Sequence, residues 1–204
     1  MSSKNTINYE LVFKVFKNNY ELVPLELFKH PYEILISTVL SARTKDELTL
    51  KICQNLFKIA PNFKKLSTLE ETEIEKLIFP VGFYKTKAKH IKKLAADILT
   101  LYDGIVPKER NKLIALPGVG QKTANLVLNR AFKIPAIAVD THVHRITNLL
   151  KWVETSSPEE TEKQLTKVLP KKYWSDCNRL FVSIGRKYKS KQKLNKFLED
   201  NNLI

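Results

Sequence analysis

Cysteine is nearly absent from the sequence. Only Cys53 and Cys177 occur among 204 residues, so these residues supply neither a disulfide framework nor the four thiolates of an iron–sulfur cluster. Both lie in stretches of helical, partly apolar character, which is typical of buried free thiols. His142 and His144 are two residues apart, which places them about 200° apart on a helix, a poor arrangement for binding one metal ion. We therefore predict no metal and no cofactor.

Long apolar runs are missing too. The segment MSSKNTINYE lacks the apolar core of a signal peptide. No run approaches the roughly 18 apolar residues that a membrane-spanning helix requires. The sequence therefore predicts an intracellular protein, in the cytoplasm or nucleoid, without a membrane partner.

Acidic residues are in deficit. Asp and Glu number 21 against 35 Lys and Arg, a formal net charge of +14. Such an excess indicates a polyanionic partner, with nucleic acid the leading candidate. The alternative is a lysine-rich surface that is merely solvated, so the charge supports nucleic-acid binding without establishing it.

Alternating, strand-like runs are also lacking. Apolar residues instead recur at helical spacing in four segments, at positions 11–16, 34–39, 48–56 and 88–99. Only IPAIAV, residues 134–139, has extended character. The fold class is therefore predicted to be all-α.

Two short motifs have the pattern of a capping box at the start of a helix. STLE at 67–70 and SPEE at 157–160 each place Glu three residues after Ser. The second also has proline at the first helical position. We expect a helix to begin at each motif.

LPGVGQKTAN, residues 116–125, predicts a helix-hairpin-helix. Pro107 is expected to open a first helix through KERNKLIAL, PGVG to turn the chain, and QKTANLVLNRAF to form a second helix. Gly118 and Gly120 permit backbone dihedrals and close approaches that other residues resist. Free N–H groups at the start of the second helix then form an anion site, which suits a DNA phosphate. The alternative is an ordinary αα-hairpin with a glycine turn.

Lys122 and Asp140 are the candidate chemical groups. Lys122 stands at the start of the second hairpin helix, where a cation opposes the helix macrodipole. Asp140 precedes the apolar stripe of AIAVDTHVHRITNLL and is expected to be an N-cap. Capping alone would explain Asp140, but it leaves the unfavourable position of Lys122 unexplained.

At LPGVGQKTAN and AVDTHVHR the sequence resembles the endonuclease III branch of the helix-hairpin-helix DNA glycosylases. The resemblance extends to LISTVLSARTKDE, VGFYKTKAKHI and SPEETEKQLTKVLPKKYW, and so covers nearly the whole chain to about Arg186. Together these motifs are far more specific than any one of them. The resemblance implies two all-α domains, a six-helix barrel at 24–134 and a second domain of 1–23 plus 135–204, with DNA bound across the cleft between them.

The resemblance also implies a bifunctional repair enzyme, expected to be a monomer, that acts on oxidised pyrimidines and abasic sites in duplex DNA. Lys122 would attack C1′ of the damaged nucleotide, form a Schiff base and cut the strand by β-elimination, with Asp140 assisting. A lysine amine in water is almost wholly protonated at neutral pH, whereas desolvation and a positive helix end favour the neutral nucleophile. The alternatives are a monofunctional glycosylase and a non-catalytic DNA-binding protein.

Further candidate DNA contacts follow from the same resemblance. The target nucleotide must leave the stack, and the family's wedge positions correspond to Arg43, where the family often has glutamine, and Phe83. For Phe83 the alternative is a buried aromatic at a helix end. Val119 and Thr123 join Gly118 and Gly120 as hairpin contacts.

The tail KYKSKQKLNKFLEDNNLI departs from the family pattern. Family members commonly carry four cluster cysteines after the positions of Gly185 and Arg186, and none is present here. Cluster binding is therefore not carried over. The lysines of this tail predict a basic helix or arm in which Lys189 and Lys191 contact phosphate; the alternative is a solvated, partly disordered end.

Overall fold

The structure is a computed structural model that describes residues 7–204, and the regular secondary structure in that range is entirely helical. The all-α prediction is confirmed. None of the helices in the described range is long and apolar enough to cross a membrane. The α-helices are α1 (Tyr9–Asn18), α2 (Pro31–Ser41), α3 (Asp46–Ile59), α4 (Phe63–Thr68), α5 (Glu71–Ile78), α6 (Tyr84–Leu101), α7 (Arg110–Ile114), α8 (Gln121–Phe132), α9 (Thr141–Leu149), α10 (Pro158–Val168), α11 (Trp174–Lys187) and α12 (Lys191–Asp200).

Five helices begin at a side chain that accepts a hydrogen bond from an N–H group of the first turn. This bond satisfies one of the backbone donors that a helix N-terminus leaves without an intrahelical partner. The capping residues are Asn8, Asn62, Asp140, Ser157 and Ser190. All are short polar residues directly before an amphipathic segment, and the sequence motifs predicted two of these starts, at Asp140 and Ser157.

The capping-box prediction is confirmed in part at 157–160 and wrong at 67–70. Ser157 caps α10 with Pro158 at its first position, although the carboxylate of Glu160 accepts from the N–H of Ser156. Ser67 instead lies in the last turn of α4, and the N-cap of α5 is Glu70, whose backbone N–H donates to the carboxylate of Glu73 at 2.8 Å. The residue pattern at 67–70 permits a cap at Ser67, but in the structure Glu70 occupies the N-cap position.

The first hairpin helix is shorter than predicted. It begins at Arg110, not at Pro107, and its N-cap is Glu109. Residues 134–139, the predicted extended piece, have no regular secondary structure and pair with no strand. Their central residues Ile137, Ala138 and Val139 are buried, which explains their apolar character without a sheet.

The chain divides into two compact units, of which one is Pro24–Ile134. Helix α2 is its centre: every residue from Ile34 to Leu40 is buried, and α2 contacts α3, α6 and α8. Helix α6 contacts α4 and α5, and α7 contacts α8. The helical hairpin formed by α7 and α8 is therefore packed into this unit through the contact of α8 with α2.

The other unit combines residues 7–23 with Pro135–Ile204. Its central helix is α11, which contacts α1 and α9. The core is rich in aromatic residues: Phe13, Phe16, Trp152, Phe181 and Phe197 are all buried. Because α1 and α11 contribute to one core, the N-terminal and C-terminal segments fold together.

Charged groups also connect α1 to α11. One carboxylate oxygen of Asp176 lies 3.0 Å from Nζ of Lys17 and the other lies 2.8 Å from the guanidinium of Arg179. Beyond α1, the backbone N–H of Glu21 donates to Oγ of Ser183 at 2.8 Å. Helix α1 is therefore held against α11 by polar contacts around an apolar interface.

The tail forms a helix that belongs to this core. Leu194, Phe197 and Leu198 of α12 are buried in the same cluster as Phe181, and the ring of Phe197 stacks on Tyr188 with centroids 4.3 Å apart. The predicted basic helix is therefore present, and the alternative of a disordered end is wrong. Its lysines occupy the exposed face, as the positions of Lys191, Lys193 and Lys196 show.

Candidate active site

The helical hairpin is held by a turn that requires glycine at one position only. Gly118 has φ +76°, and a Cβ there would lie 3.0 Å from Nδ1 of His90. Gly120 has φ −90° and nothing within 4 Å of an added Cβ. The expectation of a backbone conformation that favours glycine is confirmed for Gly118 and wrong for Gly120, while a close approach of DNA to Gly120 stays a prediction.

Gly120 instead leaves the start of α8 open. It is the N-cap of that helix and offers no capping side chain, so first-turn N–H groups have no local acceptor. These groups and the helix macrodipole together favour an anion. Val119, a predicted DNA contact, offers little to a ligand. Its side chain is only 6% exposed, and its N–H donates to the carbonyl of Leu116 at 3.1 Å.

Lys122 is the second residue of α8 and is exposed. Ala124 and Asn125, just beyond it, are buried, so the helix is anchored while the lysine projects outward. Thr123 is half-buried. The protein alone therefore does not desolvate this amine, and the desolvation expected from sequence is absent from the free protein.

Asp140 is the N-cap of α9, as predicted. Its Oδ1 accepts hydrogen bonds from the N–H groups of His142 at 3.0 Å and Val143 at 2.9 Å. The backbone just before Asp140 is fixed by Asn178, whose side-chain amide donates to the carbonyl of Ala138 at 2.9 Å. The half-buried carboxylate of Asp140 is consequently held in one orientation.

The two histidines near Asp140 have packing roles. Nδ1 of His144 lies 2.7 Å from the hydroxyl of Thr161. His142 packs against Gly185 of α11 so closely that a Cβ at that position would overlap its ring. In the described residues, no three His, Cys, Asp or Glu side chains are grouped as metal ligands would be.

Arg43 and Phe83 form one exposed pair. The guanidinium carbon of Arg43 lies 5.4 Å from the centroid of the Phe83 ring. Phe83 is 59% exposed, so the alternative of a buried aromatic at a helix end is wrong. Both residues have left-handed backbone conformations, with φ 54° and 59°, which side-chain-bearing residues seldom adopt.

Sequence reasoning missed Lys87, which donates hydrogen bonds to Ala42 and Thr44, the two neighbours of Arg43 in the chain. Lys87 is only 6% exposed, and its Nζ donates to the carbonyl oxygens of Leu40 and Ala42 at 2.7 and 2.5 Å and to Oγ1 of Thr44 at 3.2 Å. A signal was available, because Lys87 falls four residues before Ile91 on the apolar face of α6. A charged residue on that face predicts a buried polar partner.

Residues 36–171 match the HhH-GPD superfamily of base excision DNA repair proteins. The chain belongs to this superfamily. Endonuclease III of Thermotoga maritima is 46% identical over 157 residues, which cover 77% of this chain and 74% of that protein. Endonuclease III of Escherichia coli is 36% identical over 177 residues, which cover 87% and 84%.

A solved structure of a trapped endonuclease III–DNA covalent intermediate resembles the chain with a TM-score of 0.83 and 38% identity, covering 94% of this chain and 90% of that chain. Within the HhH-GPD superfamily the chain is therefore a member of the endonuclease III family. It is a base excision repair enzyme of the DNA glycosylase and AP lyase class.

Two cysteines in this HhH-GPD protein do not fit an iron–sulfur cluster. Cys53 lies in α3 of one compact unit and Cys177 in α11 of the other. Both are fully buried, and burial raises the pKa of each thiol well above its usual range. A cluster requires accessible thiolates gathered around one centre, so neither residue is a candidate ligand.

In this member of the endonuclease III family, the segment between α11 and α12 is fixed by Arg145. Its guanidinium donates to the carbonyl oxygens of Lys189 at 2.9 Å and of Gly185 and Tyr188 at 3.3 Å. The side chains of Lys189 and Lys191 are exposed. The two predicted phosphate contacts of the tail therefore project from a fixed segment of backbone.

Proposed function

We propose that the protein excises oxidised pyrimidines from duplex DNA and cleaves abasic sites, with Lys122 as the nucleophile. The supporting observation is an exposed lysine in the first turn of a helix that has no side-chain cap. A phosphate bound at the open N–H groups would bring the DNA backbone to the same helix turn as the amine. The partner is duplex DNA with a damaged base or an abasic site, and the protein acts as a monomer in the cytoplasm or nucleoid.

The reaction begins when the neutral amine of Lys122 attacks C1′ of the extruded nucleotide. A bond forms between Nζ and C1′ as the bond from C1′ to the base breaks, and the base departs with the bonding electrons and is protonated. Loss of the amine proton and opening of the sugar ring then give the Schiff base. Removal of a C2′ proton expels the 3′ phosphate, which cuts the strand.

Bound DNA supplies the desolvation that the free protein lacks. Lys122 is exposed in the free protein, and an extruded nucleotide placed over it would exclude water from the amine. The amine lies in the first turn of α8, at the positive end of the helix macrodipole. DNA binding is therefore proposed to complete the environment in which the amine acts as a nucleophile.

Asp140 is proposed to stabilise positive charge that develops on the sugar. Its Oδ1 is fixed by two backbone N–H groups, so the carboxylate is oriented before DNA binds. Preorganised charge of this kind stabilises a transition state without reorganisation during the reaction. The capping role explains how Asp140 is held, and the catalytic role explains what its carboxylate does.

Borohydride trapping on a duplex with one abasic site tests the proposal. We expect a covalent complex with the wild type and none with Lys122→Ala, whereas Asp140→Asn should form it slowly. Lys85→Ala is the matched control, because Lys85 is the exposed second residue of α6. Trapping that survives Lys122→Ala would contradict the assignment. Tight binding without trapping by the wild type would favour a monofunctional glycosylase or a binding protein.

A further inference from the structure

We propose that Lys87 is a positioning residue that holds Arg43 and Phe83 in the arrangement needed to enter the DNA stack. The proposal rests on the proposed function and on the prediction from the family resemblance that Arg43 and Phe83 fill the space left by the extruded nucleotide. Lys87 itself is buried, so it acts through the loops that carry the two wedge residues and not through a contact with DNA.

The first loop, residues 42–45, is held at the C-terminus of α2. Helix α2 ends at Ser41, and the last carbonyl groups of a helix lack intrahelical donors. Nζ of Lys87 donates to the carbonyl oxygens of Leu40 and Ala42, directly before Arg43. A cation at this end also matches the helix macrodipole.

The second loop, residues 79–83, is joined to the first through Thr44. Oγ1 of Thr44 accepts from Nζ of Lys87 at 3.2 Å and from the backbone N–H of Gly82 at 3.2 Å. A Cβ on Gly82 would lie only 2.7 Å from the carbonyl oxygen of Arg43, so the two loops touch backbone to backbone. One ammonium group therefore fixes both segments.

This support is needed because the wedge pair is strained. Arg43 and Phe83 both adopt positive φ, a conformation that persists only where the surrounding structure enforces it. Neither residue gains support from burial, since both side chains are exposed. Hydrogen bonds of Lys87 and Thr44 tie these two backbone segments together.

The charge state of Lys87 agrees with this role. Burial lowers its pKa to about 8, so the ammonium form still predominates at neutral pH. An ammonium group has three donors and no acceptor, and three oxygen atoms accept from Lys87. Every donor of the group is thus used to hold the loops.

The test compares duplex and single-stranded substrates. Lys87→Met keeps the apolar stem and removes the three donors, and Lys89→Met, an exposed position on the same helix, is the control. We expect the single-turnover rate on a duplex abasic site to fall about tenfold or more, since small misplacements of positioning groups have effects of this size. Borohydride trapping on a single-stranded abasic oligonucleotide needs no base extrusion and should be nearly unchanged.

A merely structural role predicts equal losses on both substrates, and that result, or an unchanged duplex rate, would overturn the inference. If Lys87→Met does not fold, Thr44→Val removes the hydroxyl that joins the loops while it keeps the branched shape. This variant must show the same loss on duplex alone, and equal losses would again overturn the proposal.

Arg43→Ala and Phe83→Ala separate this inference from the proposed function. If neither lowers the duplex rate, the wedge assignment fails and the role of Lys87 fails with it. If both lower the rate and Lys87→Met does not, only the role of Lys87 fails. In the Arg43→Ala background, Lys87→Met should have a smaller effect than in the wild type, because one of the two residues that it positions is already gone.

Discussion

The guanidinium carbon of Arg43 lies 5.4 Å from the centroid of the Phe83 ring. The two residues come from different loops, before α3 and before α6, yet they form one cation–π pair on the surface. Exposed pairs of this kind are weak in water and strengthen when desolvated. Insertion into DNA would remove water from the pair, so the two wedge residues are expected to act together.

A double-mutant cycle measures this coupling. We expect Arg43→Ala and Phe83→Ala each to lower the single-turnover excision rate on a duplex lesion, and the double variant to lose less than the product of the two effects. The coupling should be about 0.5–2 kcal/mol. Fully additive effects would mean that the two side chains contribute independently. Single-stranded abasic DNA serves as the control substrate, since no wedge is required there.

Gly118 and Gly120 should respond differently to alanine. At Gly118 the positive φ and the contact with His90 predict that Gly118→Ala lowers the free energy of unfolding by about 1–3 kcal/mol, as measured by denaturant unfolding followed by circular dichroism. Gly120→Ala should leave stability within about 0.5 kcal/mol, because its Cβ meets nothing in the protein.

Gly120→Ala should nevertheless weaken binding to duplex DNA if a phosphate approaches this part of the backbone closely. Fluorescence anisotropy with a labelled duplex measures the affinity. Wild-type affinity in Gly120→Ala would show that the phosphate does not approach Gly120, and would shift the proposed contact to the N–H groups further along α8.

Helix α12 should be essential to the stability of its unit. Leu194 is fully buried in the core that contains Phe181, so Leu194→Ala should cost about 2–4 kcal/mol. Both tryptophans of the chain, Trp152 and Trp174, lie in this unit, and their fluorescence therefore reports its unfolding. Lys196→Ala, on the exposed face of α12, is the control and should change stability little. Equal stabilities of the two variants would mean that α12 contributes little to the core.

Asp176 should make the same unit sensitive to acid. Burial opposes ionisation of this carboxyl, but hydrogen bonds from Lys17 and Arg179 outweigh burial and lower its pKa. Because the folded pKa is lowered, the unfolded chain binds the proton more readily, and the stabilisation is present above the unfolded pKa of about 3.9 and lost as pH falls through the lower folded value.

Asp176→Asn should therefore cost about 1 kcal/mol at pH 7. The difference from wild type should shrink as pH falls below about 4, the unfolded value for aspartate. Unfolding followed by tryptophan fluorescence across this range checks the expectation, with Asp200→Asn, at the exposed end of α12, as the control. A difference that does not depend on pH would assign the loss to packing and not to charge.

The tail lysines should contribute to DNA affinity through counterion release. We expect affinity for duplex DNA to fall steeply with salt, and Lys189→Gln or Lys191→Gln each to reduce the slope of log K against log salt concentration by about one. Lys187→Gln is the matched control, because Nζ of Lys187 lies 2.8 Å from the carboxylate of Glu21 and already forms an ion pair with it. An unchanged slope for the Lys189 and Lys191 variants would remove the tail from the interface.

Much of the fold was predictable because helix signals are local. The cap at Asp140 and the cap at Ser157 each involve N–H groups two or three residues away, so the sequence near each residue contains both partners. The capping box at 67–70 was predicted wrongly for a reason of the same kind: Glu70 and Glu73 supply an equally local alternative, and Ser67 belongs to the last turn of α4.

The candidate site was less predictable where it depends on distant partners. Lys122, Arg43 and Phe83 were found by their motifs, but the exposure of Phe83 and its contact with Arg43 depend on how two loops meet. Gly120 was misjudged because its motif does not reveal φ, which the structure places in an ordinary region.

The sequence by itself determined the helical class, the helix starts at Asp140 and Ser157, the hairpin that presents Lys122 and the family motifs, because each depends on residues within a few positions of one another. Only the tertiary structure decided the role of Lys87. Its acceptors at Leu40, Ala42 and Thr44 are 47, 45 and 43 residues away along the chain. Hydrogen bonds at such separations form only when helices have packed, and no local pattern specifies them.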